Sequence, residues 1–588
     1  MIRLFDVTLE AHVEMLAERG LLDKMYNAID NGGTSEAVMA ALDITRQLNL
    51  KPQIIEQKKD LQKCLFFKKL ASSFRNERAL KYYNAALLHI PATIPENEIT
   101  RIMSIIYYQR AILSMQLGAT SKSLKDFELI STDQCPPDIL RSLQNKCHQI
   151  VPKELSCKAS LTSTFDRKYF KFSAKRNKCV PCASLNISIV RENGLPKVVA
   201  AKDIPVGELV AIETAFVAQQ NKYNRNISCY NCFTFTPNLI PCEGCCYVMF
   251  CNESCRKQSM EGCHKIECQL MDILECVATT TKCKLSVKTA LKIKQMSKSW
   301  KDVVVASHNI GTDRMMNSSD EEIFDSYKPQ SILSYNDDKH YVHGKIFNQS
   351  FVFAIIIDRL CNIPDYFPTD DGEKFEAMKA LGRIMLHLYV TFPSEFEIRN
   401  VACEYTAEHQ LVNGTLKPTV HHRVTDKLNP NFGIFSFASK LKHSCDANLY
   451  KVGLNKKIGL IAAKPIKKGT ELTVSFLNYW FERIYTKEER NISLIERGLI
   501  CNCRFCNEKS FLPNTELSAK QERMVRQWQT LVSTTENQDR KVFQETCNTL
   551  AALDDVSHTV AYAILFNAFR NNILRFQFSN TQNTVFSE

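Results

Sequence analysis

The chain has 588 residues, 45% of them hydrophobic and 23% charged, with a formal net charge of +12. This is the composition of an ordinary globular protein with room for several domains, and the charge is too mild for the length to indicate nucleic acid by itself. The longest apolar runs, such as Phe351 to Ile357, fall far short of the roughly 20 residues that span a bilayer. The opening stretch carries Asp6 and Glu10 among its apolar residues, so it does not read as a secretory leader. An intracellular soluble protein is expected.

Residues 1–60 read as helical, with no legible chemistry. From 61 to 151 a helix-hairpin pattern follows. Leu70, Phe74, Leu80, Tyr83 and Leu87 mark one apolar face, Tyr108, Ile112 and Met115 a second, and Leu124 and Phe127 a third. The fragments ALKYYNAAL, YYQRAILSMQLG and SLKDFELI resemble tetratricopeptide (TPR) repeats. One repeat with flanks is fewer than the three a free-standing array needs, so the region must pack on another part of the chain. A peptide-binding groove and plain helical scaffolding both remain open. Residues 187–220 then alternate between apolar and polar, bounded by Gly194-Leu195-Pro196 and Pro205-Val206-Gly207, and read as strands joined by tight turns.

The densest chemistry lies between Cys229 and Cys268. Cys229, Cys232, Cys242, Cys245, Cys251, Cys255, His264 and Cys268 form two Cys-x-x-Cys pairs, a Cys-x-x-x-Cys and a His-x-x-x-Cys. Zinc takes four such ligands in a tetrahedron and keeps no open position in a structural site, so eight ligands imply two closed sites. The segment has few apolar residues, and metal must supply most of its folding free energy, roughly 10–16 kcal/mol per site. Disulfides are the alternative, and reduced intracellular thiols favour metal. Cys246 and Cys263 are off the spacing and read as bystanders. The ligand order resembles the MYND zinc finger. That resemblance implies interleaving, with Cys229, Cys232, Cys251 and Cys255 on one ion and Cys242, Cys245, His264 and Cys268 on the other. It also implies a module that binds proteins, often proline-rich segments.

Residues 269–395 read as mostly helical, broken by Asn317 to Glu322 (NSSDEE), which is expected to be a mobile loop. The basic run Lys282 to Lys301 is read as a solvated helix face, since no aromatic residues interleave to stack bases. Strand-and-turn character returns from about 398 to 476. Cys501, Cys503 and Cys506 supply three thiols, one short of a tetrahedron, and Cys445 in KHSCDAN is the expected fourth. Residues 511–588 read as a helical tail, with Met524, Trp528 and Leu531 on one face.

Taken together, RENGL, the eight ligands, GIFSFASKLKHSCDAN, IKKGTELTVSFLNYW and CNCRFC resemble the SET- and MYND-domain (SMYD) family, in its branch with an N-terminal TPR region. The resemblance implies an α+β fold. A β-rich SET domain (183–228 and 396–485) is split by the finger (229–268) and a helical insert (269–395). It is closed by a threaded segment and a post-SET cluster (486–510), and flanked by helical ends. The implied reaction moves a methyl group from S-adenosylmethionine to a protein lysine. In-line orientation and an aromatic, water-excluding channel carry much of that rate.

Carried over residue by residue, the family's cofactor-binding positions fall on Arg191, Glu192, Asn193, Gly194, Lys442, His443, Phe476 and Leu499. Three depart from the family pattern. Lys442 stands for an asparagine and has no acceptor for the cofactor's ammonium. Phe476 stands for the catalytic tyrosine, with Tyr479 nearby as a substitute hydroxyl. Arg497 and Leu499 stand for aromatic residues. Two readings follow: a weak S-adenosylmethionine-dependent lysine methyltransferase, or an inactive adaptor in protein interaction or transcriptional regulation. DNA binding through the zinc module is disfavoured, since no helix carries base-reading residues. Protein substrates or partners would come through the finger and the TPR-like helices. The resemblance also implies a monomer shared between nucleus and cytoplasm, away from membranes.

Overall fold

The apolar alternation of residues 187–220 resolves into four strands: β1 (Ile187–Glu192), β2 (Leu195–Ala200), β3 (Leu209–Thr214) and β4 (Val217–Gln219). β1 and β2 form a hairpin turned by Asn193 (φ 51°) and Gly194 (φ 81°). An Asn-Gly pair adopts that doubly positive backbone at low cost. Gly207 (φ 87°) turns the chain before β3, where a Cβ would lie 2.8 Å from the Cys547 sulfur. The computed structural model describes residues 9–50, 52, 58–117, 120–131, 133, 137, 141, 175–278, 280–310, 318–334, 343–391, 396–398, 402–412, 415–425, 431–454, 456–477, 486–495, 499–507, 517–534, 540–557 and 559–580. Asn317, Tyr479, Arg497 and most of 134–151 lie outside them.

The later strands are β5 (Ile240–Pro241), β6 (Met249–Phe250), β7 (Phe396–Ile398), β8 (Ala402–Val412), β9 (Thr415–Thr425), β10 (Asn431–Ile434), β11 (Lys442–His443), β12 (Leu449–Leu454), β13 (Lys457–Ala462) and β14 (Thr473–Val474). They build a sheet β4-β10-β7 and a sheet β11-β14-β12-β13-β3, besides two-stranded pairs. β14 lies between β11 and β12 and runs parallel to both. Asn448 fastens this crossing. Its amide nitrogen donates to Glu471 O at 2.9 Å, and its side-chain oxygen accepts from Thr473 N at 2.8 Å.

Helices Leu9–Glu18 and Leu22–Gln47 do not stand apart. Met25, Val38 and Leu42 share one core with Ile356, Leu381 and Ile384 of helices His343–Cys361 and Asp371–Thr391. At Gly382 a Cβ would meet Val38 at 2.8 Å.

The TPR-like helices are Leu61–Ser72, Glu77–Leu88, Glu96–Gln116 and Thr120–Glu128. Asp60 and Asn76 cap the first two. Leu80, Tyr83, Leu87, Ile106 and Leu113 pack against Tyr230, Leu239, Tyr247 and Phe250 of the thiol-rich segment. That segment is the partner these helices required, and this packing supports the scaffolding alternative. The first expected face is buried at Leu80, Tyr83 and Leu87, but the next two are displaced. Helix Glu96–Gln116 hides Ile106, Tyr107, Arg110 and Leu113, and helix Thr120–Glu128 hides Ser123 and Asp126. The cause is a buried ion pair. Arg110 Nη2 meets Asp126 at 2.5 Å, and both side chains are wholly buried. Arg110 also donates to Asn84 and to Leu239 O. Polar groups on an inner face interrupt the apolar period from which faces are read.

Two expectations for the insert are corrected. Ser319 does not lie in a loosely held loop; it forms a capping box with Glu322 at the start of helix Asp320–Phe324. Ile323 and Phe324 of that helix are buried in the SET core. The lysines of helix Thr281–Met296 are not all a solvated face. Lys284 pairs with Glu275 at 2.6 Å, Lys288 with Glu267 at 3.4 Å, and Lys292 donates to Phe216 O at 2.5 Å. Helical period placed them on one face, but that face meets the finger and β4 rather than water.

The tail forms helices Ala519–Thr534, Arg540–Ala552 and Val560–Asn580. Trp528, Phe543, Phe566 and Phe569 pack on Leu209, Tyr450 and Ile461 of the sheet. Among the described residues, no helix is long and apolar enough to cross a membrane.

Candidate metal centres and reaction pocket

Each element of the finger presents a ligand at a set height. Cys232 N donates to Cys229 Sγ at 3.5 Å, closing the first Cys-x-x-Cys turn. Cys242 follows β5, and Cys251 follows β6. Asn252 accepts from Cys255 N at 2.8 Å and caps helix Glu253–Glu261, so Cys255 sits one turn from Cys251. His264 and Cys268 share a face of helix His264–Cys276, four residues apart.

The ligands gather as interleaved sets. Cys229, Cys232, Cys251 and Cys255 form one, and Cys242, Cys245, His264 and Cys268 another. The third set is Cys445, Cys501, Cys503 and Cys506, and within each the ligand atoms lie within 4.8 Å of one another. All twelve expected ligands are brought together. Cys246 and Cys263 stay outside the sets, as their spacing implied.

The spacing within the sets identifies their chemistry. Sulfurs bound tetrahedrally to zinc at about 2.3 Å lie about 3.8 Å apart, whereas a disulfide holds them at about 2.05 Å. Here Cys232–Cys251 is 3.7 Å, Cys251–Cys255 3.5 Å, Cys242–Cys268 3.8 Å and Cys445–Cys506 3.7 Å. His264 Nε2 is 3.4 Å from Cys242 Sγ and 3.8 Å from Cys245 Sγ. Soft thiolates with one imidazole, spaced this way, fit a tetrahedral metal ion.

The third set reaches the pocket through one side chain. His443 Nε2 lies 3.5 Å from Cys445 Sγ, and His443 Nδ1 accepts from Phe476 N at 3.0 Å. A neutral imidazole that accepts at Nδ1 carries its proton on Nε2, facing the Cys445 sulfur. Its ring stacks on Phe476 with centroids 5.7 Å apart. Phe476 is buried, and Ile189 and Leu499 pack on the same core.

Lys442 turns outward and pairs with Glu471 at 3.3 Å, its side chain 63% exposed. Arg191 is tied to Asp320 at 2.7 Å and to Ser318 O at 2.8 Å, and it donates to Gly194 O at 3.1 Å. Glu192 pairs with Lys197. Arg191 thus faces the start of helix Asp320–Phe324, while His443 stacks on Phe476, whose core Leu499 also packs against. The suggested substitute hydroxyl on Tyr479, and Arg497, lie outside the described residues.

In the same core, Glu213 accepts from Phe437 N at 2.8 Å and Ala438 N at 2.9 Å. Lys440 donates to Ser331 O at 2.5 Å and Ser436 Oγ at 2.7 Å, pinning helix Pro329–Leu333 to the SET core. Burial pushes the Glu213 carboxyl up to about 7 and the Lys440 ammonium down to about 7, each partner opposing the other's shift.

The SET domain family model matches residues 197–477. Protein-lysine N-methyltransferase SMYD4 of Pongo abelii is 22% identical over 523 residues, covering 70% of this chain and 63% of that protein. The human protein of the same name is 28% identical over 227 residues, 34% of this chain and 27% of that one. Histone-lysine N-methyltransferase ASHR1 of Arabidopsis thaliana is 21% identical over 315 residues, 52% of each chain. The SET match and these relatives support the SET- and MYND-domain family that the motifs resemble. The chain spans less than two thirds of the length of these relatives. The SET match runs from β2 past β14 to Phe476 and Leu477, with the finger and helical insert inside it.

Sequence reasoning missed Arg110, Asn448 and the Glu213–Lys440 pair. Asn448 closes the quoted KHSCDAN motif, and Arg110 stands alone among apolar residues in YYQRAILSM. An isolated charge in an apolar helix face is the one signal that pointed to it.

Proposed function

We propose that this chain binds S-adenosylmethionine beside His443 and Phe476 and methylates protein lysines slowly, with zinc in all three clusters. The finger 229–268 acts in this reading as a MYND-type docking module for protein segments, in both nucleus and cytoplasm. The observation that carries it is the His443–Phe476 pair. The stacked rings and the hydrogen bond to His443 Nδ1 keep the pocket's frame. The ring at 476 has no hydroxyl to orient an incoming amine, so the frame is kept and the rate is low.

The outward turn of Lys442 supports cofactor binding. An ammonium held 4 Å from the cofactor's own would cost about 4 kcal/mol at an effective dielectric of 20. S-adenosylmethionine, when bound, supplies an electrophilic methyl. The chain's part is to exclude water with Phe476 and Leu499, hold the lysine in line, and let its amine lose a proton before transfer. The matched relatives are named lysine methyltransferases, which supports this substrate class.

The adaptor reading is favoured by one further observation. Arg191 already spends its donors on Asp320, Ser318 and Gly194, and a cofactor carboxylate must compete for them.

Titration calorimetry with S-adenosylmethionine separates the two. Heat of binding and slow transfer, raised about 10- to 100-fold by Phe476→Tyr, are expected. No binding at millimolar cofactor would leave only the adaptor. The docking role predicts that Cys229→Ala loses protein partners in a pull-down; partners retained by that variant would move docking elsewhere on the chain.

A further inference from the structure

The finger's four-cysteine cluster poses a charge problem. A divalent ion with four thiolates carries a net charge of −2, and Cys229 is fully buried. A buried anion needs a counter-charge or hydrogen-bond donors. Of the finger's own basic side chains, Arg256 pairs with Glu243 at 2.9 Å and Glu253 at 2.7 Å, Lys257 lies 3.9 Å from Glu261, and Lys265 is exposed.

We propose that Lys456, delivered from the SET sheet, is the counter-cation of the Cys229–Cys232–Cys251–Cys255 metal cluster. Lys456 lies at the tip of the β12–β13 hairpin, 225 positions along the chain from Asn231 of the finger. Its backbone is fixed there, since Ala215 N donates to Lys456 O at 2.8 Å. Its side chain enters the first Cys-x-x-Cys turn. Nζ donates to Asn231 Oδ1 at 3.4 Å and stands 5.5 Å from the centre of the Phe233 ring. Asn231 and Phe233 flank Cys232 on both sides. Burial, with Lys288 and Lys292, pulls the Lys456 amine down to about 8, and the Cys229 and Cys232 thiols act against that shift.

The second cluster repeats the arrangement. Lys59, also from outside the finger, donates to Leu88 O at 3.0 Å, and burial lowers its amine while the Cys242, Cys245 and Cys268 thiols oppose that shift. That cluster has three thiolates and an imidazole, so its net charge is only −1. The Lys456 site carries the larger charge and gives the sharper test.

A cation at the hairpin tip makes the metal a part of the SET sheet. β13 pairs with β12, and β12 meets β14 at Leu449–Val474, two residues before Phe476. The finger's ion is thereby joined electrostatically to the sheet that shapes the pocket.

The test rests on the zinc reading and uses the full-length zinc-loaded chain, titrated with a chromophoric chelator. In Lys456→Gln, one of three equivalents is expected to leave at about 10-fold lower chelator concentration, the size of a typical second-sphere loss. The other two are expected at wild-type positions. Lys456→Arg keeps the charge and is expected to hold the metal as wild type does, as is Lys457→Gln at the exposed neighbour. An unchanged release curve for Lys456→Gln overturns the proposal. So does equal weakening of all three equivalents, which would mark a general loss of fold, or the same loss in Lys456→Arg or Lys457→Gln. Wild-type protein holding fewer than three equivalents would instead remove the zinc reading beneath it.

Discussion

Cys445 belongs to a thiol cluster that fits a metal ion, and His443, two residues earlier on β11, belongs to the proposed reaction pocket, so the two regions meet within three residues of chain. At the clusters every expected ligand is present and in reach of its partners. At the pocket, Phe476 replaces the tyrosine that the family resemblance implies, and Lys442 turns away from the position its family counterpart fills. The contrast follows from what each position is asked to do. A tetrahedral ion needs all four donors, and no neighbour can substitute for a missing thiolate. A ring that loses one oxygen still fills its space, stacks on His443 and keeps its backbone bond. Packing is satisfied without the hydroxyl, so the fold exerts no pressure to restore it.

Removing one finger ligand gives the largest effect expected. Cys251→Ala should forfeit one metal equivalent, and with it folding free energy on the order of 10 kcal/mol. Because the TPR-like helices bury their faces on this segment, their amides should lose hydrogen-exchange protection together with the finger's. A variant that keeps three equivalents would show that the cluster tolerates loss as the pocket does, and the contrast would fail.

Breaking the buried pair behind the finger comes next. Arg110→Ala leaves Asp126 charged and wholly buried, at a cost of about 3–5 kcal/mol. The paired replacement Arg110→Met with Asp126→Leu should recover most of that loss, because it removes both charges. Thermal unfolding of the three proteins checks the ranking; equal melting temperatures for wild type and Arg110→Ala would place the pair in water.

How far each region could be read from sequence follows the same division. The ligands were legible because thiol spacing is local and each ion's demands are fixed. Even the interleaving came only with a family resemblance, since spacing alone does not pair the sets. The strands of 187–220 were legible from period and turns, although the turn expected at Gly194-Leu195-Pro196 sits one residue earlier, at Asn193-Gly194, with Leu195 and Pro196 inside β2. What stayed hidden was long-range. Nothing in residues 1–60 says that Val38 will meet Gly382. The lysines of 282–301 looked solvated because their partners Glu275, Glu267 and Phe216 come from other elements or an adjoining turn. Two TPR-like faces were displaced because Arg110 and Asp126 occupy inner positions that apolar periodicity assigns to the surface.

The Glu213–Lys440 pair offers a smaller, pH-dependent probe between the regions. Burial lowers Lys440 from 10.5 to about 7. Over that window the unfolded chain holds a proton that the folded chain has released, so this group's contribution is complete above about 10.5 and lost as pH falls through 7. Glu213, raised from 4.5 to about 7, acts oppositely: its contribution is complete below 4.5 and gone once pH has risen through 7. Above neutrality only the lysine acts. The margin by which wild type out-melts Lys440→Met should therefore widen from pH 7 to pH 9, by at most about 1.4 kcal/mol per unit. A constant margin would mean that the amine stays charged in the fold.

Lys442→Asn carries the smallest effect and bears most directly on the contrast. In sequence, a lysine at this position looks like an obstacle to the cofactor, because it brings a positive charge and no acceptor. In the structure its side chain is exposed, and the Glu471 contact is a surface pair of a kind worth at most about 1 kcal/mol. If the lysine stands clear of the pocket, restoring asparagine should change S-adenosylmethionine affinity by less than about 5-fold and leave stability nearly unchanged. A gain of 100-fold or more in calorimetry would mean that the ammonium reaches the cofactor after all. Phe476 would then be one of two chemical losses at the pocket, and the distinction between a filled space and a missing function would have to be drawn at both positions.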